Sequence, residues 1–230
     1  MKLRMQITKD KDIRFISHLE YVRTIGRAIR RSKLPAAYPH LKFSLASALG
    51  VGVVSYTEFV EIELAEPMEV EKAALALDAA LPRGIRVLAA DAVDTHHAAL
   101  MSQAAGASYR VTLPYSADVS AAVAEFNAAP ELLFKKAAPK TKTKFKEIDV
   151  KFYIPQLTAE QTEKETIFSF DCKITPTGSM KAVDLLNALN EQYGLALPVE
   201  MADIERLRLY RNNKNGKPIP MLNSDAVTLG

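Results

Sequence analysis

Two of the chain's four histidines, His18 and His40, lie near tyrosine. Tyr21 falls one helical turn beyond His18, and Tyr38 sits two residues before His40 in "YPHLK". A histidine close to tyrosine and lysine can act as general acid and base in metal-independent cleavage of RNA. The spacing supplies no nucleophile, so His18, His40 and Tyr38 stand as candidates only, against the commoner structural role of a histidine beside a helix cap. His96 and His97 are adjacent and tend to point apart, and no His, Cys or carboxylate group has zinc-like spacing.

A second constellation is cationic. Arg23, Arg27, Arg30 and Arg31 follow one another at spacings of four, three and one. On a helix this gathers them on one side, while Leu19, Val22, Ile25 and Ile29 take the other. Arginine suits bidentate contact with phosphate, and a row of it can track a nucleic-acid backbone. The competing reading is a solvated face paired with the chain's own acids. Lys140, Lys142, Lys144 and Lys146 repeat every second residue, and in an extended chain their face continues as Ile148, Val150 and Phe152. A strand cannot bury lysine and isoleucine against one core. The lysine half is therefore expected to project as an arm or hairpin, suited to phosphate by its point charges or simply solvated.

The charge distribution supports a binding reading more than the total does. Net charge is +3, yet Lys2 to Lys42 holds eleven Lys and Arg against Asp10, Asp12 and Glu20, while Glu58 to Asp94 holds nine acids against Lys72, Arg83 and Arg86. With 48% apolar residues in 230, the chain can fill one large or two modest cores. No apolar run reaches the roughly 20 residues needed to span a bilayer, and "KLRMQIT" lacks a signal-peptide core. A soluble, cytoplasmic protein without membrane contact is expected. The single cysteine, Cys172, can neither close an intramolecular disulfide nor hold an iron-sulfur cluster, and its alternation with Phe168, Phe170 and Ile174 reads as core. "LGVGVVS" has Gly50 and Gly52 but no phosphate-loop lysine and no GxGxxG; it reads as a turn or bulge, and no cofactor is expected.

These residues need elements to carry them. "KLRMQITKD" alternates Leu3, Met5 and Ile7 with Lys2, Arg4 and Gln6, as a half-buried strand does. Ser17 with Glu20 is a capping box for a helix that Pro35 stops. "LKFSLAS" and "EFVEIELAE" read as strands, the second setting Phe59, Ile62 and Leu64 against Glu58, Glu61 and Glu63. "MEVEKAALALDAAL" reads as a helix and "GIRVLAADAV" as a strand. The order is that of a split βαβ, ferredoxin-like unit. After a connector that breaks at Gly106, the order recurs through "YRVTLPY", "ADVSAAVAEFNAA", "LFKKAAP", "KFKEIDVKFYI", "TIFSFDCKI", "SMKAVDLLNALNEQY" and "ADIERLRLYR", with one strand more. The expected class is α+β: tandem ferredoxin-like units with antiparallel sheets, the second a variant. The expected domains are 1–100 and 107–211, with a 101–106 connector and an irregular 212–230 tail.

"RFISHLEYVRTIGRAIRRSKLPAAY" and "PHLKFSLASALGVGVVSYTEFVEIEL", with "FKEIDVKFYI" and "IERLRLYR", resemble a bacterial radical-SAM-associated family of unknown function, also found as a C-terminal domain of larger radical SAM proteins. Where that family carries a short Gly-Phe-Asn-containing stretch, Tyr38 here runs straight into Pro39 and His40. The resemblance implies a non-catalytic companion of a radical SAM protein, and its gene neighbourhood, beside ribosomal proteins and a ribonuclease, implies RNA or a ribonucleoprotein as the shared substrate. The leading expectation is an RNA-binding or substrate-presenting module. The alternatives are a metal-independent endoribonuclease of tandem ferredoxin-like build and a protein-interaction adaptor that makes no RNA contact.

Overall fold

The computed structural model describes residues 1–36, 40–94, 98–138 and 144–229. Tyr38, Lys140, Lys142, His96 and His97 lie outside them.

In chain order the elements are β1 (Lys2–Lys9), α1 (His18–Arg31), β2 (Phe43–Leu45), β3 (Val53–Glu63), α2 (Val70–Ala80), β4 (Val87–Val93) and α3 (Leu100–Gln103). There follow β5 (Gly106–Pro114), α4 (Ser120–Ala128), β6 (Leu133–Ala137), β7 (Phe145–Asp149), α5 (Val150–Tyr153), β8 (Leu157–Gln161), β9 (Glu165–Thr175) and β10 (Gly178–Ser179). The chain ends with α6 (Ala182–Tyr193), β11 (Asp203–Asn212), β12 (Pro218–Pro220) and β13 (Val227–Thr228). It is a mixed α+β protein whose named strand pairs run antiparallel. Two compact units form, one from Met1–Ala105 with Arg206–Gly230, the other from Gly106–Glu205. Among the described residues no helix is long and apolar enough to cross a membrane.

In the first unit β1 lies between β3 and β4, with Met5 opposite Val60 and Ala90, and β2 pairs with β3. Leu3, Met5 and Ile7 face a core closed by Tyr21, Ile25 and Ile29 of α1 and by Ala73, Ala74 and Leu77 of α2. Helix α1 approaches closely because Gly26 has no side chain: a Cβ there would stand 3.3 Å from the Phe43 ring. Leu19, assigned by period to the apolar face, is 56% exposed. It sits in the first turn, beyond the reach of that core.

The opposite face of the sheet departs most from the alternation rule. Arg4, Glu58 and Glu61, expected to point to solvent, are 2%, 1% and 5% exposed. The second face is covered by the chain's own C-terminal segment, which was expected to be irregular: Arg4 donates to the Met221 carbonyl (2.9 Å), β12 pairs with β11, and β13 pairs with β4. Each buried charge is matched. Arg4 bonds Glu61 (2.9 Å), and Asn223 donates to Asp91 (2.6 Å). Burial of charge is tolerable only under such pairing.

In the second unit β9 pairs along its whole length with β5, Tyr109 opposite Phe170, and also with β8 and β10. Strand β8 has no counterpart in the sequence-based order, and Gly106 opens β5 rather than breaking the connector. Cys172 is buried beside Phe168 and Phe170, as its alternation predicts. Among the described residues strands β6 and β7 pair only with each other, Lys136 opposite Lys146. The long strand expected through "KFKEIDVKFYI" stops at Asp149, whose carboxylate accepts from the Lys151 N–H (2.9 Å) and Leu132 N–H (3.2 Å) and caps the short helix α5. Local side-chain capping outcompetes strand continuation there.

Candidate nucleic-acid interface

Helix α1 starts where the sequence predicts. Ser17 is extended and its Oγ accepts from the Glu20 N–H (3.2 Å). The reciprocal half of the capping box is not made, because the Glu20 carboxylate instead pairs with Arg23 and lies 3.8 Å from Arg27. Ser17→Ala removes one of the helix's N-terminal acceptors and is expected to cost about 1 kcal/mol, which Ser17→Asp restores; urea unfolding of the two variants checks this.

All four arginines are exposed. Their contacts are modest. Among the described residues, Arg23 and Arg27 share Glu20, Arg30 reaches only the Gly26 carbonyl at 3.5 Å, and Arg31 donates to the Ala80 carbonyl at the end of α2 (2.8 Å). The partnered acids of residues 58–94 look elsewhere: Glu58 to Arg206, Glu61 to Arg4 and Lys2, Glu63 to Lys42, and Asp78 to Arg86. The stripe is therefore a cationic face carrying one carboxylate. Its Arg31 closes the carbonyl end of α2, where the helix dipole favours a cation.

At the N-terminal end of α1 a buried polar cluster stands under the surface. Lys9 is fully buried, and its ammonium donates to the carbonyls of Arg14 (2.9 Å), Ile16 (3.1 Å) and Gly50 (3.3 Å). Arg206 holds the Glu58 carboxylate through one nitrogen at 3.0 and 3.2 Å and gives another N–H to the Ala48 carbonyl (3.2 Å). The Tyr21 hydroxyl donates to the Thr8 carbonyl (2.6 Å). Burial pushes the Tyr21 pKa well up and that of Lys9 down, Glu58 opposing the latter. His18 is half-buried, and its Nδ1 is enclosed without a hydrogen-bond partner among the described residues. Burial holds its pKa below the usual histidine value; Glu58 raises it, while Lys9 and Arg206 lower it further.

The sign follows from linkage. A histidine protonated more readily in the unfolded chain lends full stability above the unfolded value near 6.5 and loses it as pH falls through the lower folded value. Wild type is accordingly expected to lose stability below about pH 6.5 by more than His18→Asn does, with unfolding midpoints across pH as the measurement.

His40 is exposed and has no hydrogen bond to a described residue. Of the lysine row, Lys144 and Lys146 are exposed. Lys136, one strand over, pairs with Asp184 of α6. Among the described residues no three His, Cys, Asp or Glu side chains converge as metal ligands. The period pointed to none of Lys9, Glu58 and Arg206. Their only sequence signal is charge inside strands that otherwise read as core.

The fold and this face define a mixed α+β protein with a largely antiparallel sheet and a cationic first helix. Residues 2–184 match the family model described as "Uncharacterized protein conserved in bacteria (DUF2344)", and the chain belongs to that family. No curated protein matches it by sequence. Among solved structures it is similar to one chain of a crystal structure of a Cbf5-Nop10-Gar1 complex, with a TM-score of 0.52 at 11% identity over 92% of this chain and 50% of that one. The chain thus spans about half the length of that relative, and the likeness bears on fold alone. A further match, to an unknown protein from Galdieria sulphuraria, has 11% identity and a TM-score of 0.27 over 92% of this chain and 98% of that one.

Proposed function

We propose that this chain is a non-catalytic module that docks RNA, or an RNA-containing particle, on the exposed side of α1 and presents it to a radical SAM protein. The observation that carries the reading is the arginine row, whose only carboxylate partner among the described residues is Glu20. Phosphate is the ligand that such a row of donors suits. The β6–β7 hairpin, with exposed Lys144 and Lys146, is a second basic element of the same kind. The radical SAM partner rests on the family resemblance and fits a chain whose one thiol is buried in a core. A cytoplasmic setting is part of the same proposal.

The finer architecture belongs here too. The β2-β3-β1-β4 order of the first unit supports a ferredoxin-like, split βαβ unit. The second unit is its variant, with β6, β7 and α5 inserted.

The test is affinity for labelled single-stranded RNA as salt rises from about 50 to about 200 mM, where three or more phosphate contacts predict a loss of about tenfold or more. Salt-indifferent binding would sink the proposal. Cleavage of RNA in chelator, abolished by His18→Ala or His40→Ala, would favour the nuclease instead. Co-purification with a radical SAM protein tests the partner.

A further inference from the structure

Phe15 is 70% exposed, the most exposed of the large hydrophobic side chains among the described residues, yet its backbone is tightly held. The carbonyls on either side of it, those of Arg14 and Ile16, both accept from the buried Lys9 ammonium. The Arg14 carbonyl also accepts from the Gly52 N–H (2.8 Å), and Gly50 is the third acceptor of Lys9, so two loops are tied at one point. Gly52 takes φ +84°, open to glycine, and a Cβ there would stand 3.9 Å from the Phe15 ring. The Arg14 guanidinium lies 4.9 Å from the ring centroid. An ordinary exposed phenylalanine needs no explanation. One pinned by a fully buried lysine, braced by a guanidinium and placed at the head of an arginine-bearing helix does.

We infer that the RNA taken by α1 is single-stranded and that Phe15 is the platform on which one of its bases stacks. This rests on the RNA-docking reading above. In a duplex the bases are stacked on one another and only phosphates and groove edges meet a protein surface; a projecting ring then gains nothing. In a single strand a base face is free, and aromatic rings beside cationic grooves are how such strands are held without sequence preference. Arg23, Arg27 and Arg30 follow along α1 at steps of about 6 and about 4.5 Å, a track for the backbone that follows the stacked base. Because Lys9 holds the loop before any ligand arrives, little ordering cost falls on binding.

The chain contains no tryptophan, so Phe15→Trp places a sole indole at the platform. Titration with a single-stranded oligoadenylate of about 12 nucleotides is expected to quench that indole, and an RNA duplex of equal charge is expected not to. Phe15→Ala and Phe15→Leu should weaken single-strand binding by about five- to a hundredfold with the salt slope unchanged, while Phe15→Tyr binds as wild type. Melting curves of these exposed-site variants should overlay the wild type. Equal or tighter duplex binding, or wild-type affinity in Phe15→Ala, overturns the inference and leaves the docking reading standing. An absence of salt-dependent RNA binding in the wild type overturns both. Loss of a protein partner from Phe15→Ala, with RNA affinity intact, makes this ring an adaptor contact and overturns it as well.

Discussion

Arg206→Met is expected to lower the unfolding free energy by about 3–5 kcal/mol, because it leaves the Glu58 carboxylate charged, dry and without its partner. Arg206 and Glu58 are 2% and 1% exposed, so water cannot take over the lost contact. Glu58→Gln should be comparably damaging for a different reason: it removes the buried carboxylate that Arg206 bonds, and that carboxylate is also the group that opposes the fall in the Lys9 pKa. Glu58→Met with Arg206→Met should recover a large part of the loss, since an apolar pair of similar volume removes both desolvation costs, but Lys9 keeps the recovery from being complete. Urea unfolding of the three variants measures this. Wild-type midpoints in Arg206→Met would mean that the pair is not buried in solution as it is here.

Arg27→Glu combined with Arg30→Glu should reduce RNA affinity by about a hundredfold at low salt and flatten the slope of log affinity against log salt by about 1.4, two lost phosphate contacts at about 0.7 each. These two positions are chosen by their contacts. Arg31 closes α2 through the Ala80 carbonyl, and Arg23 is paired with Glu20, whereas Arg27 sits 3.8 Å from Glu20 and Arg30 is held by the Gly26 carbonyl at 3.5 Å. Exposed pairs of this kind contribute about 0–1 kcal/mol, so the fold should tolerate the change. An unchanged affinity and slope would remove α1 from the interface and leave the β6–β7 hairpin, with exposed Lys144 and Lys146, as the basic element to test next.

The parts of this protein that were legible in advance are those set by neighbours in the chain. The Ser17 cap, the apolar side made of Ile25 and Ile29, and the exposed arginines all follow from helical period and first-turn chemistry, which act within a few residues. The alternation of Phe168, Phe170 and Cys172 is equally local. Leu19 failed because the period says which side of a helix a residue occupies and nothing about how far along the helix the core extends.

The polar cluster under the helix was illegible for a physical reason. Alternation in β1 and β3 assigns Arg4, Glu58 and Glu61 to solvent unless something covers the second face, and the cover comes from Ala48 and Met221, with Arg206 arriving 148 residues after Glu58. No window of sequence contains that encounter. The same holds for Lys9, whose burial makes sense only once three loop carbonyls converge on it, and for Phe15, whose exposure matters because Lys9 holds it there. The amino-acid sequence alone determined a cationic helix and where it starts. Tertiary structure alone decided which charges are spent inside the fold and which remain on its surface, because charge pairing across long separations depends on burial, which only the packed chain defines.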